Sequence, residues 1–331
     1  MGGWLIIETF GGKDPSLIAI GNAPKPYVPL HKVLRSARSM EFVSEMVRDL
    51  GVNPRALRRP TTDGRRILLA KPLLIETGEL HGVQMWFGPA DDAVPEPEPA
   101  GAWCFNLTTG KSNRSDDLLD LYGVSPADRA NEQAIAGAFT RLVTNRDEGE
   151  ALAGIVRAEI GFEHQAVWTL RRDDGALRAA HFACRAVESS IEPGERLIRG
   201  ITQDIGAAAE TPAAPPPMVL EHNMLAASAE DGEFRAIVNL RTLKIIRWVG
   251  EPMPDIAWLL LPGEPEPALH PDDIDAAREM SRGLARGRTH GVVRLRTVDG
   301  DWQPVELRAA LMALDQHTTA GLVTLRKLED I

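Results

Sequence analysis

Only two cysteines, Cys104 and Cys184, occur in the chain, and both lie in apolar strand-like stretches. Two such residues cannot form a zinc set, and their setting predicts reduced thiols buried as packing groups. No uninterrupted apolar run approaches the ~18 to 20 residues that a membrane-crossing helix needs. The N-terminus has no basic segment leading into an apolar one, so a cytoplasmic location is expected. Basic charge is also in deficit: a net charge of -10 disfavours general attraction to nucleic acid or to an anionic membrane face. The best local exception, Arg55-Ala-Leu-Arg-Arg59 with Arg65-Arg66, reads as a solvated helix end and turn.

Catalytic signatures are missing too. There is no phosphate loop, no His-Glu-x-x-His, no Gly-x-Ser-x-Gly elbow and no helix-turn-helix. The eight histidines (His31, His81, His164, His181, His222, His270, His290, His317) include no pair spaced to aim two imidazoles at one ion. The carboxylate pairs Asp116-Asp117, Asp173-Asp174 and Asp272-Asp273 diverge on a helix or alternate across a strand, so they read as caps and turns. His270, just before a helix start, reads as a capping residue. Nothing assembles a nucleophile, a base and a charge stabiliser, and no enzymatic activity is expected.

What is present is punctuation. At ~100 to 200 residues per domain, 331 residues suggest two or three domains. Two Pro-rich stretches divide them, at residues 93–100 (with Pro95-Glu-Pro-Glu-Pro99) and 208–219 (with Pro212-Ala-Ala-Pro-Pro-Pro217). Such spacers are extended and semi-rigid and should hold their neighbours apart. The units are then 1–92, 101–207 and 220–331.

The first unit opens with Trp4 to Phe10 and Ser16 to Ile20, separated by Gly11-Gly12-Lys-Asp-Pro15. Helically spaced apolar residues run from Val33 to Leu50, and Arg66 to Ile75 and Leu80 to Phe87 close it as strands. Pro72 marks an edge or a bulge. In the middle unit Trp103 to Leu107 is a strand, Ala134 to Leu142 and Asp147 to Ile160 are helices, and Gln165 to Arg171, Leu177 to Val187 and Leu197 to Ile205 are strands. The third unit repeats this plan: a hairpin (Phe234 to Leu240, Lys244 to Val249), a helix from Leu269-His-Pro-Asp-Asp273 to Leu284, and three strands (Val292 to Thr297, Trp302 to Leu314, Thr319 to Arg326). Val143-Thr-Asn-Arg-Asp147 takes the place of His-Pro-Asp-Asp in the middle copy.

The run Glu195-Arg-Leu-Ile-Arg-Gly-Ile-Thr-Gln-Asp-Ile205 resembles the last strand of a PAS sensory domain. Gly101-Ala-Trp-Cys-Phe-Asn-Leu-Thr-Thr-Gly110 looks like its opening strand, and Arg172-Asp-Asp-Gly175 like its central hairpin. The third unit departs from the pattern, ending Gly321-Leu-Val-Thr-Leu-Arg-Lys327 without Gln-Asp, and the first is similar to either a PAS or a GAF module. The resemblance implies an α+β protein of tandem PAS-like domains, each a five-stranded antiparallel sheet with helices on one face. It implies a bacterial, non-catalytic sensory or regulatory protein that works through contacts with itself, as a homodimer, or with a signalling protein. A small apolar ligand would tune those contacts. The alternative from a different class is a sensor or carrier holding haem, flavin or a fatty acid; the sequence names no cofactor. In the middle unit Phe105, Leu119, Phe139, Val167, His181 and Ile201 would line the pocket, against the reading of a fully packed core. His181, between Ala180 and Phe182, is the ligand-contact candidate.

Overall fold

The computed structural model describes residues 3–10, 15–34, 36–143, 147–211 and 230–328. The turn at 11–14, residues 144–146, the second Pro-rich stretch from 212 onward and His222 lie outside the described residues.

Three sheets follow one another along the chain. The first comprises β1 (Leu5–Glu8), β2 (Ser16–Ile20), β3 (Ala23–Pro29), then helices α1 (Leu30–Val33) and α2 (Ala37–Val52), then β4 (Leu57–Pro60), β5 (Arg66–Leu74) and β6 (Leu80–Pro89). The second takes β7 (Ala100–Asn106), β8 (Lys111–Arg114), helix α3 (Asp116–Tyr122), β9 (Glu132–Ala134), helices α4 (Ile135–Ala138) and α5 (Glu148–Arg157), then β10 (Glu163–Arg171), β11 (Leu177–Glu188) and β12 (Arg196–Ala207). The third has β13 (Glu233–Asn239), β14 (Lys244–Val249), helix α6 (Ile274–Gly283), β15 (Thr289–Arg296), β16 (Trp302–Ala313) and β17 (Thr319–Lys327).

The spatial orders are β3-β2-β1-β6-β5-β4, β9-β8-β7-β12-β11-β10 and β14-β13-β17-β16-β15. All three therefore contain one pattern: the second strand, then the first, the last, the last but one and the last but two. The internal repeat extends to the first unit. The uniform five-strand expectation holds for the third sheet alone, because β3 and β9 add a sixth strand beside the second strand in the other two.

Several local expectations are corrected. Arg58 and Arg59 lie in strand β4, not at a helix end, and Arg59 pairs with Glu45 and Asp49 of α2. The helix expected over Ala134 to Leu142 is the single turn α4, preceded by β9. Pro72 sits in β5 between two strands, but β4 pairs only with residues 67–70, so the missing N–H falls where that partner has ended.

Contacts divide the chain into two compact units: Met1–Cys104, Asn113–Asn131 and Ile160–Pro215; and Phe105–Ser112, Glu132–Glu159 and Pro216–Ile331. In the first unit, helix α2 lies on one face of the first sheet, with Val43, Met46, Val47 and Leu50 buried against Leu5, Ile7, Leu68 and Met85. The other face, carrying Ile6, Ile18 and Leu73, packs on Ala100, Ala102, Cys104, Ala183 and Ile201 of the second sheet. The first Pro-rich stretch does not hold these sheets apart. Trp4 Nε1 donates to the Pro95 carbonyl at 2.7 Å and Gln84 Nε2 to the Glu98 carbonyl at 2.8 Å, so the stretch is tied to the first sheet. The reason is that a strand such as Leu5-Ile6-Ile7, apolar on both faces, must cover both. Alanines on the second sheet allow close approach. At Gly82 an added Cβ would stand 2.6 Å from the Ile7 carbonyl oxygen and 2.5 Å from Ile201 Cδ1.

In the second unit, the third sheet carries a core of Ala236, Trp248, Met253, Ile256, Leu284, Val305 and Leu325. Arg247 of β14 forms a buried ion pair with Glu148 of α5 and donates to the Phe139 carbonyl at 3.1 Å.

Candidate functional site

One face of the third sheet mixes small residues with larger ones, some buried and some partly exposed. Register places Ala236, Val323 and Ala309 in one row across β13, β17 and β16, and Phe234, Leu325, Leu307 and Gly291 in the next. Over this face runs α6. Its strong apolar–polar asymmetry comes from Ile274, Ala277 and Ser281 on one side and Asp275, Arg278, Glu279 and Arg282 on the other, yet none of its residues is buried. The helix turns Ile274, Ala277, Met280 and Ser281 towards the sheet, all of them only partly buried, and space remains between the two. The result is a cavity of about 420 Å³, within the ~300 to 1,000 Å³ range of small-molecule sites.

Its walls are the sheet (Val238, Leu295, Leu307, Val323), helix α6 and the loop from Ile256 to Leu269. The loop is held by antiparallel bridges Ile256 to Thr297 and Leu269 to Leu295, and Trp258 meets Trp248 edge-on at 6.0 Å. Two lining leucines, Leu243 and Leu260, have left-handed φ values of 59° and 65°. Left-handed backbone is unusual for a leucine and costs about 1 kcal/mol or more, and such residues concentrate at ligand clamps.

The polar groups gather on the side lined by Thr109, Gly110 and Lys111. Lys111 Nζ lies 2.8 Å from Glu266 and 3.1 Å from Glu132, which raises its own pKa and holds the Glu266 carboxyl below its usual value. Lys244 Nζ donates to the Thr109 carbonyl, and burial pushes its pKa down. The Lys244 stem runs past Gly110: a Cβ there would stand 2.4 Å from Lys244 Cδ, and the Gly110 φ is 77°. Ser281 Oγ donates to the Leu240 carbonyl at 3.1 Å. The lining holds no cysteine, histidine, aspartate or tyrosine. The arrangement can enclose an apolar body and offer ammonium groups to it.

None of the six pocket residues expected in the middle unit lines this cavity. Five are buried and Val167 partly so. They divide between two faces of the second sheet. Val167 and His181 are directly paired, and Ile201 shares their face with Ala183 and Gln203 against the first sheet. Phe105 alternates with Ala102 and Cys104, which face that same side, so it points the other way, towards Phe139 with ring centroids 6.3 Å apart. Leu119 is fully buried in α3. Two faces of a sheet cannot line one volume. His181 is buried between Val167 and Gln203 in the register, and burial pushes its imidazole down to about 4. His270 is a cap as expected, its Nδ1 accepting from Asp272 N at 3.2 Å. Of the acidic pairs, Asp174 serves a turn, accepting from Ala176 N, whereas Asp273 binds Arg294 of β15 and Asp117 pairs with Lys71, neither side chain capping a helix.

The sequence held a signal for this cavity in Ala277 and Ser281, small residues on the inner side of α6, and in Ala309 of the sheet.

Comparison with known proteins bears on the whole chain. Three family models match in order: the Rv3651-like N-terminal domain over residues 3–96, the middle domain over 99–202 and the C-terminal domain over 219–330. No curated protein matches the sequence. Among solved structures, an uncharacterized protein from Mycobacterium tuberculosis shares the fold, with 27% identity, a TM-score of 0.84, and coverage of 100% of this chain and 97% of that one. A sensory box histidine kinase/response regulator from Burkholderia thailandensis overlaps at 19% identity over 33% of this chain and 79% of that chain, with a TM-score of 0.26. An RNA-binding Light-Oxygen-Voltage receptor overlaps at 11% identity over 70% and 95%, with a TM-score of 0.27. Neither of these two low-scoring overlaps carries an argument about this chain. The three consecutive domain matches do: the chain is a three-domain protein of the Rv3651-like architecture.

Proposed function

We propose that this is a non-catalytic regulatory protein of tandem PAS-like sensory domains, acting through contacts with a second copy or with a signalling protein in the cytoplasm, and that a small apolar ligand in the third domain tunes those contacts. The PAS reading draws support from the order of elements, opening strands, helices and three closing strands, present in all three domains. The observation that carries the ligand is the 420 Å³ cavity under a helix with no buried residue. A ligand seated there removes the apolar lining of the sheet and loop from water, which favours binding by about 25 cal/mol per Å² of apolar surface covered.

The test is native mass spectrometry and absorption of the purified, untreated protein, set against its mass after denaturation. An excess mass present in wild type and lost in Ala277→Phe, which fills the cavity from α6, supports the reading. The native mass also reports whether the protein is a dimer. Wild type without excess mass, with Ala277→Phe unchanged in partner capture, would remove the ligand from the function. Visible absorbance would turn the reading towards a haem or flavin carrier.

A further inference from the structure

Resting on the reading of the cavity as a ligand site, we propose that Leu243 is a ligand clamp that selects an uncharged, apolar body. Two turns of the molecule share one design. Asn106-Leu-Thr-Thr-Gly-Lys111 joins β7 to β8, and Asn239-Leu-Arg-Thr-Leu-Lys244 joins β13 to β14. In the first, Gly110 N donates to the Asn106 carbonyl at 2.8 Å, and the Asn106 side chain accepts from Thr108 N and Thr109 N. In the second, Leu243 N donates to the Asn239 carbonyl at 2.7 Å, and the Asn239 side chain accepts from Arg241 N and Thr242 N. The last turn residue is left-handed in both, with φ of 77° at Gly110 and 59° at Leu243.

Glycine suits that position because left-handed backbone drives a Cβ towards the following carbonyl oxygen. The turn from β7 to β8 closes with no side chain there, so a leucine adds nothing to the same turn from β13 to β14 and strains it. What Leu243 contributes therefore lies beyond the turn, and it lines the cavity. It is only partly buried, which leaves apolar surface for a ligand to cover. Leu260, the other left-handed leucine among the described residues, lines the same cavity and is also partly buried. Strain of this kind persists at ligand clamps, where the rest of the structure holds it in place. Both leucines offer only hydrocarbon. Polar groups of the lining are engaged within the protein, Lys111 with Glu266 and Glu132, and Ser281 with the Leu240 carbonyl. A sugar or nucleotide body would lose hydrogen bonds against the leucines, whereas an uncharged apolar one loses none.

The test titrates the full-length protein with the uncharged fluorophore N-phenyl-1-naphthylamine and records the melting temperature of the same samples without it. Two variants are compared with wild type: Leu243→Gly, and Leu243→Asn, which keeps the side-chain size and tolerates left-handed backbone. Each should bind the probe on the order of tenfold more weakly, the loss expected when a leucine contact is removed. Each should melt no lower than wild type, because the strain is relieved. A residue that merely packs a core behaves otherwise, its affinity and stability falling together. A lower melting temperature in both variants, or unchanged probe affinity in either, would overturn the clamp while leaving the cavity as an apolar site. Failure of the probe to bind wild type would overturn the ligand reading itself.

Discussion

Helices α2 and α6 hold the same place in their repeats, between the opening strands and the closing three, and they treat their sheets differently. Helix α2 has 16 residues and sinks Val43, Met46, Val47 and Leu50 into the first sheet; α6 has 10 and sinks none. The inward positions differ: α2 buries Val43, Met46, Val47 and Leu50, whereas the cavity-side residues of α6, Ile274, Ala277, Met280 and Ser281, stay partly exposed. One sheet order can thus support a solid core or a cavity, and the choice rests on a few side chains of the covering helix. The first sheet is closed on its second face too, by the alanines of the second sheet. Function is therefore argued from the third domain, where the repeat is left unfilled.

The sharpest way to break this contrast is truncation. Leu50→Ala, at a site with no exposure, should destabilise the first unit by about 4 kcal/mol, as large-to-small changes in packed cores do. Ile274→Ala, on the cavity side of α6, should cost about 1 kcal/mol, because its methyls are only partly removed from water. Urea denaturation of each variant, followed by far-UV circular dichroism, gives the comparison. Equal losses at the two sites would mean that α6 packs as α2 does.

Enlargement should reverse the sign. At Gly101 an added Cβ would stand 2.3 Å from the Leu118 nitrogen, backbone that cannot move aside, and Gly101→Ala should cost about 3 kcal/mol. Ala277→Leu grows into empty volume and should leave stability unchanged or raise it by about 1 kcal/mol. The melting temperatures of the two variants, measured without added ligand, check this. A loss in Ala277→Leu comparable to that of Gly101→Ala would show the cavity to be filled by neighbouring side chains.

Much of this fold was legible. The alternation and turns of the third unit place its hairpin, its long helix and its closing strands, because each element is long enough to show its period. The middle unit was less so: β8, β9 and α4 have four, three and four residues, too short for any period to register. Strand β3 carries Pro24, Pro26 and Pro29, which argue against a strand until an edge position is known. The pocket was sought in the middle unit, from strand residues collected without their facing. Val167, His181 and Ile201 look across to another sheet, a fact set by tertiary packing that the alternation of one strand cannot reveal. The small residues of α6 were readable as a gap, but only once the helix was known to lie over the face of the sheet that carries Ala309.

The smallest effect concerns charge. His181 sits in the filled region, whereas the cavity lining has no histidine, so acid should weaken the first unit more than the third. The sign follows from linkage. Burial lowers the imidazole from 6.5 to about 4, so the unfolded chain binds a proton in that interval and the folded one does not. His181 therefore contributes stability above pH 6.5 and loses it as pH falls towards 4, by about 2 kcal/mol between pH 7 and 5. Glu8 acts in the opposite sense. Burial raises its carboxyl, so its contribution is present below pH 4.5 and lost as pH rises through the folded value. Wild-type stability alone would mix the two. The difference between wild type and His181→Phe cancels Glu8, and that difference, measured by urea denaturation at pH 7 and pH 5, should move by about 2 kcal/mol in favour of the variant at the lower pH. A difference that does not change with pH would mean that His181 is charged in the folded protein, and that the sheet interface is open to water where the packing makes it dry.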